Sequence, residues 1–418
     1  MSIAISNAII VTQNDNRDVY RGNVKIDGNK IQYVGKDEVD GDILIDGTNK
    51  VLMPGLINTH AHVGMSASKG LFDDVDLDSF LKKTFEYDSD RTSTGIFNSA
   101  KLGMYEMIGN GITAFVDLYY SEDIIAKAAE EIGIRAFLSW VTLDKELTTQ
   151  IGDPVENAEN FIRNHVGNKY VVPSVGVQGI YVANDDTFRR AMDLAEKYGT
   201  ILHMHLSETR KEVYDAVKKL GERPIEHLHN IGILNKRVLA AHCVWATYHE
   251  VRLLSKDGVN VSWNSISNFK LGTGGIPPIP EMMRENVNVT IGTDSNGSNN
   301  SLDMFQAMKF SAISVKNYRW DASLMKAQEI LDMATRNAAR ALQLNAGSIE
   351  VGKLADVVLL DATIPSMIPT NEANAVSNIV YSSSPQNVDT VIIDGEIKKI
   401  NGKILGFHSN KFTNSEFK

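Results

Sequence analysis

The sequence predicts an α/β protein built on a (β/α)8 barrel, with a β-layer formed by the two ends of the chain. Short apolar strands alternate with amphipathic helices through the middle of the chain, a pattern typical of a parallel sheet covered by helices. Roughly six to eight such units in about 290 residues agree with the size of a barrel. Ionisable residues follow several of the apolar runs, as they do at the active-site end of such barrels.

The two ends of the chain have the same sequence pattern. Near the start, NVKIDGNKIQYVG and DILIDG alternate apolar residues around Asp-Gly turns, and near the end VDTVIIDGEIKKINGK does the same. Asp-Gly between alternating apolar residues indicates a hairpin. The pattern therefore predicts residues 1–54 and 346–418 as two parts of one β-layer, flanking a barrel over residues 55–345.

The central units are clearest between the fourth and eighth strands. VVPSVGVQ is followed by the helical segment DDTFRRAMDLAEKYG, which has aspartates at its start and a stop signal at Gly199. The strands TILHMHL, VLAAHCV, VNVSWNS and VNVTIGTD come next, separated by helices or loops. A doubly wound open sheet is the alternative, but no G-x-G-x-x-G follows the first strand.

Composition excludes several classes of partner. The 418 residues carry a formal net charge of −10, which disfavours nucleic acid and anionic membranes. The start, MSIAISNAIIV, shows no basic region before its apolar residues, and no apolar run reaches the length of a bilayer span. Cys243 is the single cysteine, which excludes an intrachain disulfide and the P-C-x-x-C zinc motif. The sequence thus predicts a cytoplasmic protein.

Five ionisable residues stand at the ends of predicted strands. His60 and His62 lie in PGLINTHAHVGMS, and residues i and i+2 of a strand share a face. His205, His242 and Asp294 end three later apolar runs, where burial of a polar group costs most. Imidazole with carboxylate suits zinc, iron or manganese and leaves room for a water. The alternative is five core residues, each satisfied by its own separate partner.

Two neighbours of these residues are ambiguous. Glu208, three residues after His205, is either a proton-transfer group near the metal or a carboxylate stabilised by the dipole of the helix that follows. Cys243 points away from His242 if the strand is regular, which favours a buried structural thiol over a ligand.

The motifs PGLINTHAHVGMS, HMHLSET, LAAHCV, SNFKLGTGG and IGTDSNGSNNSLDMF together resemble the amidohydrolase superfamily. More narrowly, they resemble its aromatic deaminase and chlorohydrolase branch, which includes the methylthioadenosine and S-adenosylhomocysteine deaminases. The resemblance implies a (β/α)8 barrel with a small β-sandwich made by both termini. It also implies one divalent metal per chain, zinc first and iron or manganese as alternatives, and it allows a homo-oligomer. The implied ligands are His60, His62, His205 and Asp294.

The resemblance and the chemistry of such sites give a predicted mechanism. A bound metal lowers the pKa of its water from about 15.7 towards about 7, which supplies hydroxide for attack on a ring carbon. Asp294 takes a proton, Glu208 protonates the adjacent ring nitrogen, His242 steadies the developing charge, and ammonia leaves. A second metal is not expected, because Lys169 stands before the fourth strand and not at its end.

The sequence departs from the nucleoside deaminases at five positions expected to contact substrate. Gln178 replaces a motif histidine, Trp263 replaces the histidine of V-S-H-N-P, and Trp140 stands where an arginine is expected. The tryptophan and glutamate that follow the first-strand loop fall on Phe80 and Ser89. The prediction is therefore a metal-dependent amidohydrolase that deaminates a purine, nucleoside, pterin or triazine. A ring-opening hydrolase similar to imidazolonepropionases, or a non-catalytic metal-stabilised binding protein, remains the alternative.

Overall fold

The computed structural model describes residues 1–417, apart from the side chains at positions 77, 78, 414 and 415. Within these residues the strands are, in chain order, β1 (Ser2–Val11), β2 (Val19–Asp27), β3 (Lys30–Gly35), β4 (Ile43–Asp46), β5 (Lys50–Pro54), β6 (Leu56–Ala61), β7 (Ile112–Tyr119), β8 (Arg135–Thr142), β9 (Val171–Val177), β10 (Leu202–Leu206), β11 (Val238–His242), β12 (Asn260–Trp263), β13 (Asn288–Ile291), β14 (Val357–Asp361), β15 (Val388–Ile393), β16 (Glu396–Ile400) and β17 (Lys403–Ile404).

The helices of the same residues are α1 (Leu77–Ser89), α2 (Ser93–Gly109), α3 (Glu122–Ile132), α4 (Pro154–His165), α5 (Asp185–Tyr198), α6 (Arg210–Leu220), α7 (Pro224–Asn230), α8 (Tyr248–Asp257), α9 (Ser265–Lys270), α10 (Ile279–Arg284), α11 (Met304–Arg319), α12 (Ala327–Ala334), α13 (Arg336–Ala341) and α14 (Ala375–Tyr381). Across the described part of the chain, no helix combines the length and apolar character that crossing a bilayer demands.

Strands β6 to β13 form the barrel, lying side by side in chain order. The pairings from β8 through β13 are parallel and in register. The first and last strands meet, because Thr59 Oγ1 donates to the Ile291 carbonyl at 3.0 Å and the Asp294 amide donates to the His60 carbonyl at 2.9 Å. The predicted eight-stranded parallel barrel is therefore confirmed as a nearly closed one.

Local sequence signals explain where the covering helices begin and end. The Asn184 side chain caps α5 by accepting from the Thr187 amide at 3.0 Å, and Gly199 ends the helix with a left-handed φ of 67°. A glycine adopts this conformation without the steric cost that a Cβ would bring. The predicted stop at Gly199 is thus confirmed, and the chain turns there into β10.

The terminal segments form a second, mixed sheet. Among the described residues its strand order is β17-β16-β15-β14-β5-β1-β2-β3, with β4 beside β1. The antiparallel pairing of β5 with β14 joins the two ends of the chain. Buried aliphatic residues from both ends, including Ile5, Leu52 and Val357, form one apolar cluster, which explains why the sequence ends share a pattern.

The chain divides into two compact units. One comprises residues 1–58, 105–114 and 303–408, and the other comprises residues 59–104, 115–302 and those from 409 onward. This grouping places residues 303–345 with the terminal segments. The boundaries expected from the sequence, at 54/55 and 345/346, remain a prediction. All the candidate site residues lie in the second unit.

Candidate metal centre and active site

The five ionisable residues at the predicted strand ends come together at one end of the barrel. His60 and His62 come from β6 and the residue after it, His205 from β10 and His242 from β11, while Asp294 follows β13. Asp294 Oδ1 lies 3.4 Å from His62 Nε2 and 3.8 Å from His60 Nε2. The ring centroids of His60 and His205 are 5.0 Å apart. The side chains therefore form one cluster.

Burial keeps the central imidazoles neutral. The pKa values of His60 and His205 are held well below the usual range, first by loss of water around the charged form and then by the neighbouring histidines. Burial likewise lowers the pKa of His242, against the opposing effect of Asp294. A neutral imidazole has a lone pair to offer a metal, so these groups are ready to ligate at neutral pH.

The outer hydrogen bonds of two histidines fix which nitrogen faces the cluster. His62 Nδ1 donates to the Leu118 carbonyl and His205 Nδ1 donates to the Gln178 carbonyl, both at 2.7 Å. Because a carbonyl oxygen only accepts, Nδ1 carries the proton in each ring. The Nε2 atom of each ring is left as an acceptor directed at the site, which is the arrangement of a metal-ligating histidine.

His60 obtains the same orientation through a second histidine. His203 Nδ1 donates to the Leu239 carbonyl at 3.0 Å, so His203 Nε2 accepts the Nδ1 proton of His60 at 2.7 Å. Burial lowers the pKa of His203 to about 3, which keeps it neutral in this role. The sequence analysis did not assign His203, although HMH repeats the i, i+2 spacing of HAH.

His242 has the opposite tautomer. Asn268 Nδ2 donates to His242 Nδ1 at 2.9 Å, so the ring proton is on Nε2. That atom lies 3.8 Å from Glu208 Oε2 and 4.0 Å from Asp294 Oδ2. The ligating atoms of His60, His205 and His242 are within 4.8 Å of one another, so distance alone would admit His242 as a ligand. The tautomer makes it a hydrogen-bond donor into the site instead.

The segment after β12 holds Asp294. Ser267 Oγ donates to Asp294 Oδ2 at 2.7 Å, and the Ser295 amide donates to Oδ1 at 2.6 Å. Ser267 and Asn268 are the first two residues of the SNFKLGTGG motif. The sequence analysis used this motif only for the family resemblance, and in the structure Ser267 and Asn268 hydrogen-bond to Asp294 and His242.

Several residues at these strand ends adopt left-handed backbone conformations. The φ angles are 49° at Ser207, 76° at His242, 48° at Cys243 and 66° at Asp294. Such angles are uncommon for residues other than glycine and gather at functional sites. The Cys243 side chain is fully buried, and burial raises the pKa of its thiol, as expected for a structural thiol.

Glu208 provides a carboxyl group beside the cluster. Its side chain is 17% exposed. Burial and the nearby charge of Asp294 raise the pKa of Glu208 to about 8. The group therefore retains a proton at neutral pH and can donate it, which is the behaviour expected of a general acid.

The five residues expected to form the substrate wall differ from one another in burial and in hydrogen bonding. Phe80 and Trp263 are buried, and the Trp263 Nε1 proton has no acceptor among the described residues. Trp140 Nε1 donates to Gln150 Oε1 at 2.9 Å, and Gln178 Nε2 donates to the Tyr181 hydroxyl at 3.2 Å. Ser89 is exposed, and its hydroxyl donates to the Glu86 carbonyl. Their contact with substrate remains a prediction.

Asp88, one position before Ser89 near the end of α1, is a partly buried acidic residue. Its Oδ1 accepts from the Tyr119 hydroxyl at 2.5 Å and from Arg91 at 3.5 Å. Burial raises the pKa of Asp88, while Tyr119, Arg91 and His62 act in the opposite direction. The sequence analysis named Ser89 and did not assign Asp88, and the contact of either residue with substrate remains a prediction.

Comparisons with known proteins identify the family of the chain. The model of the amidohydrolase family matches residues 51–398. The chain is 38% identical to a 5'-deoxyadenosine deaminase of Methanosphaera stadtmanae, covering 93% of this chain and 92% of the relative. It is also 38% identical to 5-methylthioadenosine/S-adenosylhomocysteine deaminase 1 of Archaeoglobus fulgidus, covering 94% and 92%.

Two solved structures share the fold over 98% of this chain. A zinc-bound adenosine deaminase from Xanthomonas campestris superposes with a TM-score of 0.94 at 28% identity, over 95% of its own chain. A zinc complex of atrazine chlorohydrolase from Arthrobacter aurescens superposes with a TM-score of 0.90 at 23% identity, over 98% of its chain, and supports the fold alone. The family match and the curated relatives, together with the buried histidine and aspartate cluster, show that the chain belongs to the amidohydrolase family.

Proposed function

We propose that the protein hydrolytically deaminates an amino-substituted aromatic heterocycle, with a purine nucleoside as the first candidate. The observation that carries the proposal is the pairing of two kinds of group in one cluster. Three imidazole Nε2 acceptors and Asp294 face a common point, while the Nε2 proton of His242 and the carboxyl of Glu208 lie beside it. This set can bind a metal and also transfer protons.

The donor set fits one zinc ion. His60, His62, His205 and Asp294 offer three neutral nitrogens and one carboxylate, which suits zinc and leaves a position for water. When bound, the metal supplies Lewis-acid chemistry that lowers the pKa of a water from about 15.7 to about 7. A single metal is proposed because β9 (Val171–Val177) has no lysine in it, and Lys169 precedes it.

The protein's own groups then divide the proton transfers. Asp294 accepts a proton from the attacking water, and the Glu208 carboxyl gives its proton to the ring nitrogen next to the carbon under attack. The Nε2 proton of His242 faces the oxygen on which negative charge develops, as an oxyanion donor does. The amino group takes the proton held by Asp294 and leaves as ammonia, while the hydroxyl proton on the ring carbon passes to Glu208 and the carbon becomes a carbonyl.

The names of the relatives support a nucleoside substrate. Relatives named 5'-deoxyadenosine deaminase and 5-methylthioadenosine/S-adenosylhomocysteine deaminase are 34–38% identical over most of this chain. The wall residues Trp140, Gln178 and Trp263 supply no positive charge for a substrate carboxylate. We therefore propose a nucleoside without an anionic tail as the preferred substrate, with Phe80 and Ser89 of α1 beside it.

Finer features of the protein belong to the same proposal. The mixed terminal sheet is proposed to fold as a small β-sandwich, with the barrel spanning residues 55–345. The enzyme is proposed to act in the cytoplasm as a homo-oligomer, without nucleic acid or membrane partners, in keeping with its net charge of −10.

A substrate panel tests the proposed function. The zinc-loaded enzyme is incubated with aminopurine nucleosides, free purines, pterins and triazines, and released ammonia is measured. Ammonia with a matching loss of the amino-substituted substrate supports deamination. A new carboxylate without ammonia, seen with cyclic amides, would indicate the imidazolonepropionase-like ring opening. The absence of turnover on every compound, with thermal stability unchanged after chelation, would indicate a binding protein.

A further inference from the structure

Two helices of the barrel begin with the same four-residue pattern, Thr-x-x-Glu. Thr209 precedes α6 with Glu212 three residues later, and Thr247 precedes α8 with Glu250 three residues later. In each case the threonine hydroxyl accepts the amide of the glutamate, at 3.0 Å in α6 and 3.2 Å in α8. The pattern predicts a capping box, in which the glutamate accepts the amide of the threonine.

Only α8 completes this box among these two helices. Glu250 Oε2 accepts the Thr247 amide at 2.8 Å. In α6 the glutamate reaches past the threonine, so that Glu212 Oε1 accepts the Ser207 amide at 2.8 Å and Oε2 accepts the Glu208 amide at 2.7 Å. The same motif is thus used differently at the one helix that follows Glu208.

The backbone before α6 is shaped for this contact. Ser207 has a left-handed φ of 49°, and a left-handed residue in a turn directs consecutive amides into a concave anion site. Both carboxylate oxygens of Glu212 are used on these amides, and the residue is only 7% exposed. Two consecutive backbone amides thus donate to one buried carboxyl group, and this pair of hydrogen bonds fixes the turn.

The turn also accepts hydrogen bonds from the segment that follows His242. The Cys243 amide donates to the Leu206 carbonyl at 2.9 Å, and the Trp245 amide donates to the Ser207 carbonyl at 3.0 Å. Glu212 therefore fixes one side of the turn while the segment after His242 fixes the other. Glu208 Oε2 and His242 Nε2 lie 3.8 Å apart.

We propose that Glu212 is a positioning residue, whose carboxylate fixes the backbone of Glu208 and thereby aims the Glu208 carboxyl at the substrate. The inference rests on the proposed function, because it assigns Glu212 a part in the proton transfer by Glu208. A merely structural role would stabilise the fold without any special dependence on Glu208, and the two roles give different results in a mutant cycle.

The first variant is Glu212→Gln, which keeps the size of the side chain but turns one acceptor into an NH₂ group facing a backbone amide. We expect kcat to fall about 10- to 100-fold, the scale for a misplaced catalytic group, with KM within about twofold. Zinc content and the absorption spectrum of the cobalt-substituted protein should be unchanged, since no metal ligand is altered. The matched control is Glu329→Gln in α12, where the glutamate accepts the Lys326 amide at 2.7 Å, and kcat should stay at the parental value.

The decisive comparison repeats the change in a Glu208→Gln background. If Glu212 acts through Glu208, Glu212→Gln should leave the small residual kcat of Glu208→Gln unchanged. A further loss by the same factor as in the parental enzyme would overturn the proposal. Glu212→Asp, which keeps the charge but shortens the reach, serves the same cycle if the glutamine variant does not fold.

A measurement independent of turnover separates this proposal from the proposed function. Hydrogen exchange of the Ser207 and Glu208 amides should be slow in the parental protein and at least tenfold faster in Glu212→Gln. Fast exchange of both amides in the parental protein would overturn the proposed positioning by Glu212, whatever the substrate. Slow exchange in the parental protein, with no ammonia from any panel compound, would instead reject the proposed deamination and leave the hydrogen bonds of Glu212 to the turn unchallenged.

Discussion

The metal-binding floor and the substrate wall of this site are held in different ways. The floor, made of His60, His62, His205 and Asp294, is fixed by partners on other barrel segments, such as the Leu118 carbonyl for His62. The wall residues that make polar contacts find them nearby in the chain, as Ser89 does with Glu86 and Gln178 with Tyr181. The floor is therefore set by contacts between segments far apart in the chain, whereas these polar contacts of the wall join residues close together in the chain.

Because of this difference, substrate specificity can change while the metal ligands stay the same. A change to a floor residue disturbs neighbours on two strands, because each ligand depends on a carbonyl or side chain elsewhere in the barrel. Trp140 lies in β8, and its indole bonds to Gln150 ten positions along the chain, so a change there removes no hydrogen bond to another barrel strand. Four predictions test whether floor and wall respond as differently as their contacts imply.

The largest effect is expected at Glu208. Glu208→Gln should lower kcat by about 10³-fold, because general acid catalysis contributes roughly 10²–10⁴, while zinc content is unchanged. Steady-state kinetics on the best panel substrate and metal analysis check both. Activity within a few-fold of the parental enzyme would remove Glu208 from the mechanism.

The next effect concerns metal affinity. His203→Ala removes the acceptor that orients His60, and the loss of such an outer partner typically costs 10- to 100-fold in affinity. Competition with a chelator of known affinity measures this. His203→Gln, whose side-chain oxygen can accept the His60 proton, is the matched variant and should recover part of the affinity. Equal affinity in His203→Ala and the parental protein would contradict the tautomer assignment of His60.

A third effect concerns pH and the metal-free protein. The pKa of Glu208 is raised to about 8 in the folded state, above its ordinary value of about 4.3 when unfolded. The folded state holds this proton more tightly, so the contribution is fully present below about pH 4 and is lost as pH rises through about 8. Between pH 7 and 8 the unfolding free energy should fall by up to about 1.4 kcal/mol per pH unit from this group.

Urea unfolding of the chelated protein at several pH values measures that slope. Glu208→Gln has no titrating group at this position and should show a flatter dependence over the same window. The buried histidines and Glu212, whose pKa is raised to about 7, contribute to the slope of both proteins, so the difference between the two slopes isolates Glu208. An identical slope in the two proteins would contradict the assigned protonation of Glu208.

The smallest effects are expected at the wall. Ser89→Ala should change kcat/KM by less than about twofold, because exposed polar substitutions rarely matter. Asp88→Asn should cost about 3- to 10-fold, since it leaves the guanidinium of Arg91, whose side chain is 2% exposed, without its carboxylate. Kinetics on both variants at fixed zinc content checks this. A larger effect at Ser89 than at Asp88 would identify Ser89 as the residue of α1 that contacts substrate.

The sequence predicted the parts of the site that depend on regular strands. Residues at strand ends of a parallel barrel must converge, so His60, His62, His205, His242 and Asp294 could be grouped from apolar runs alone. The protonation of their rings could not be predicted, because it depends on partners far apart in the chain. Asn268 and His242, for example, are 26 residues apart and meet only when β11 and β12 pair.

The wall was less predictable for a related reason. Gln178 follows β9, where the chain has no repeating pattern from which the direction of a side chain can be predicted. Trp263 shows a different limit. An aromatic residue in a short apolar run can face either a pocket or the core, and its complete burial could not be derived from sequence.

The hydrogen bond from the Asp294 amide to the His60 carbonyl has a consequence for biogenesis. It joins the beginning and the end of the barrel, and the proposed ligands come from its first, fifth and last strands. During synthesis, the ligand set is incomplete until the ribosome has released the segment after β13. A partly made chain can thus offer a metal only fragments of this site, so stable zinc uptake would mark a barrel whose two edges have already met.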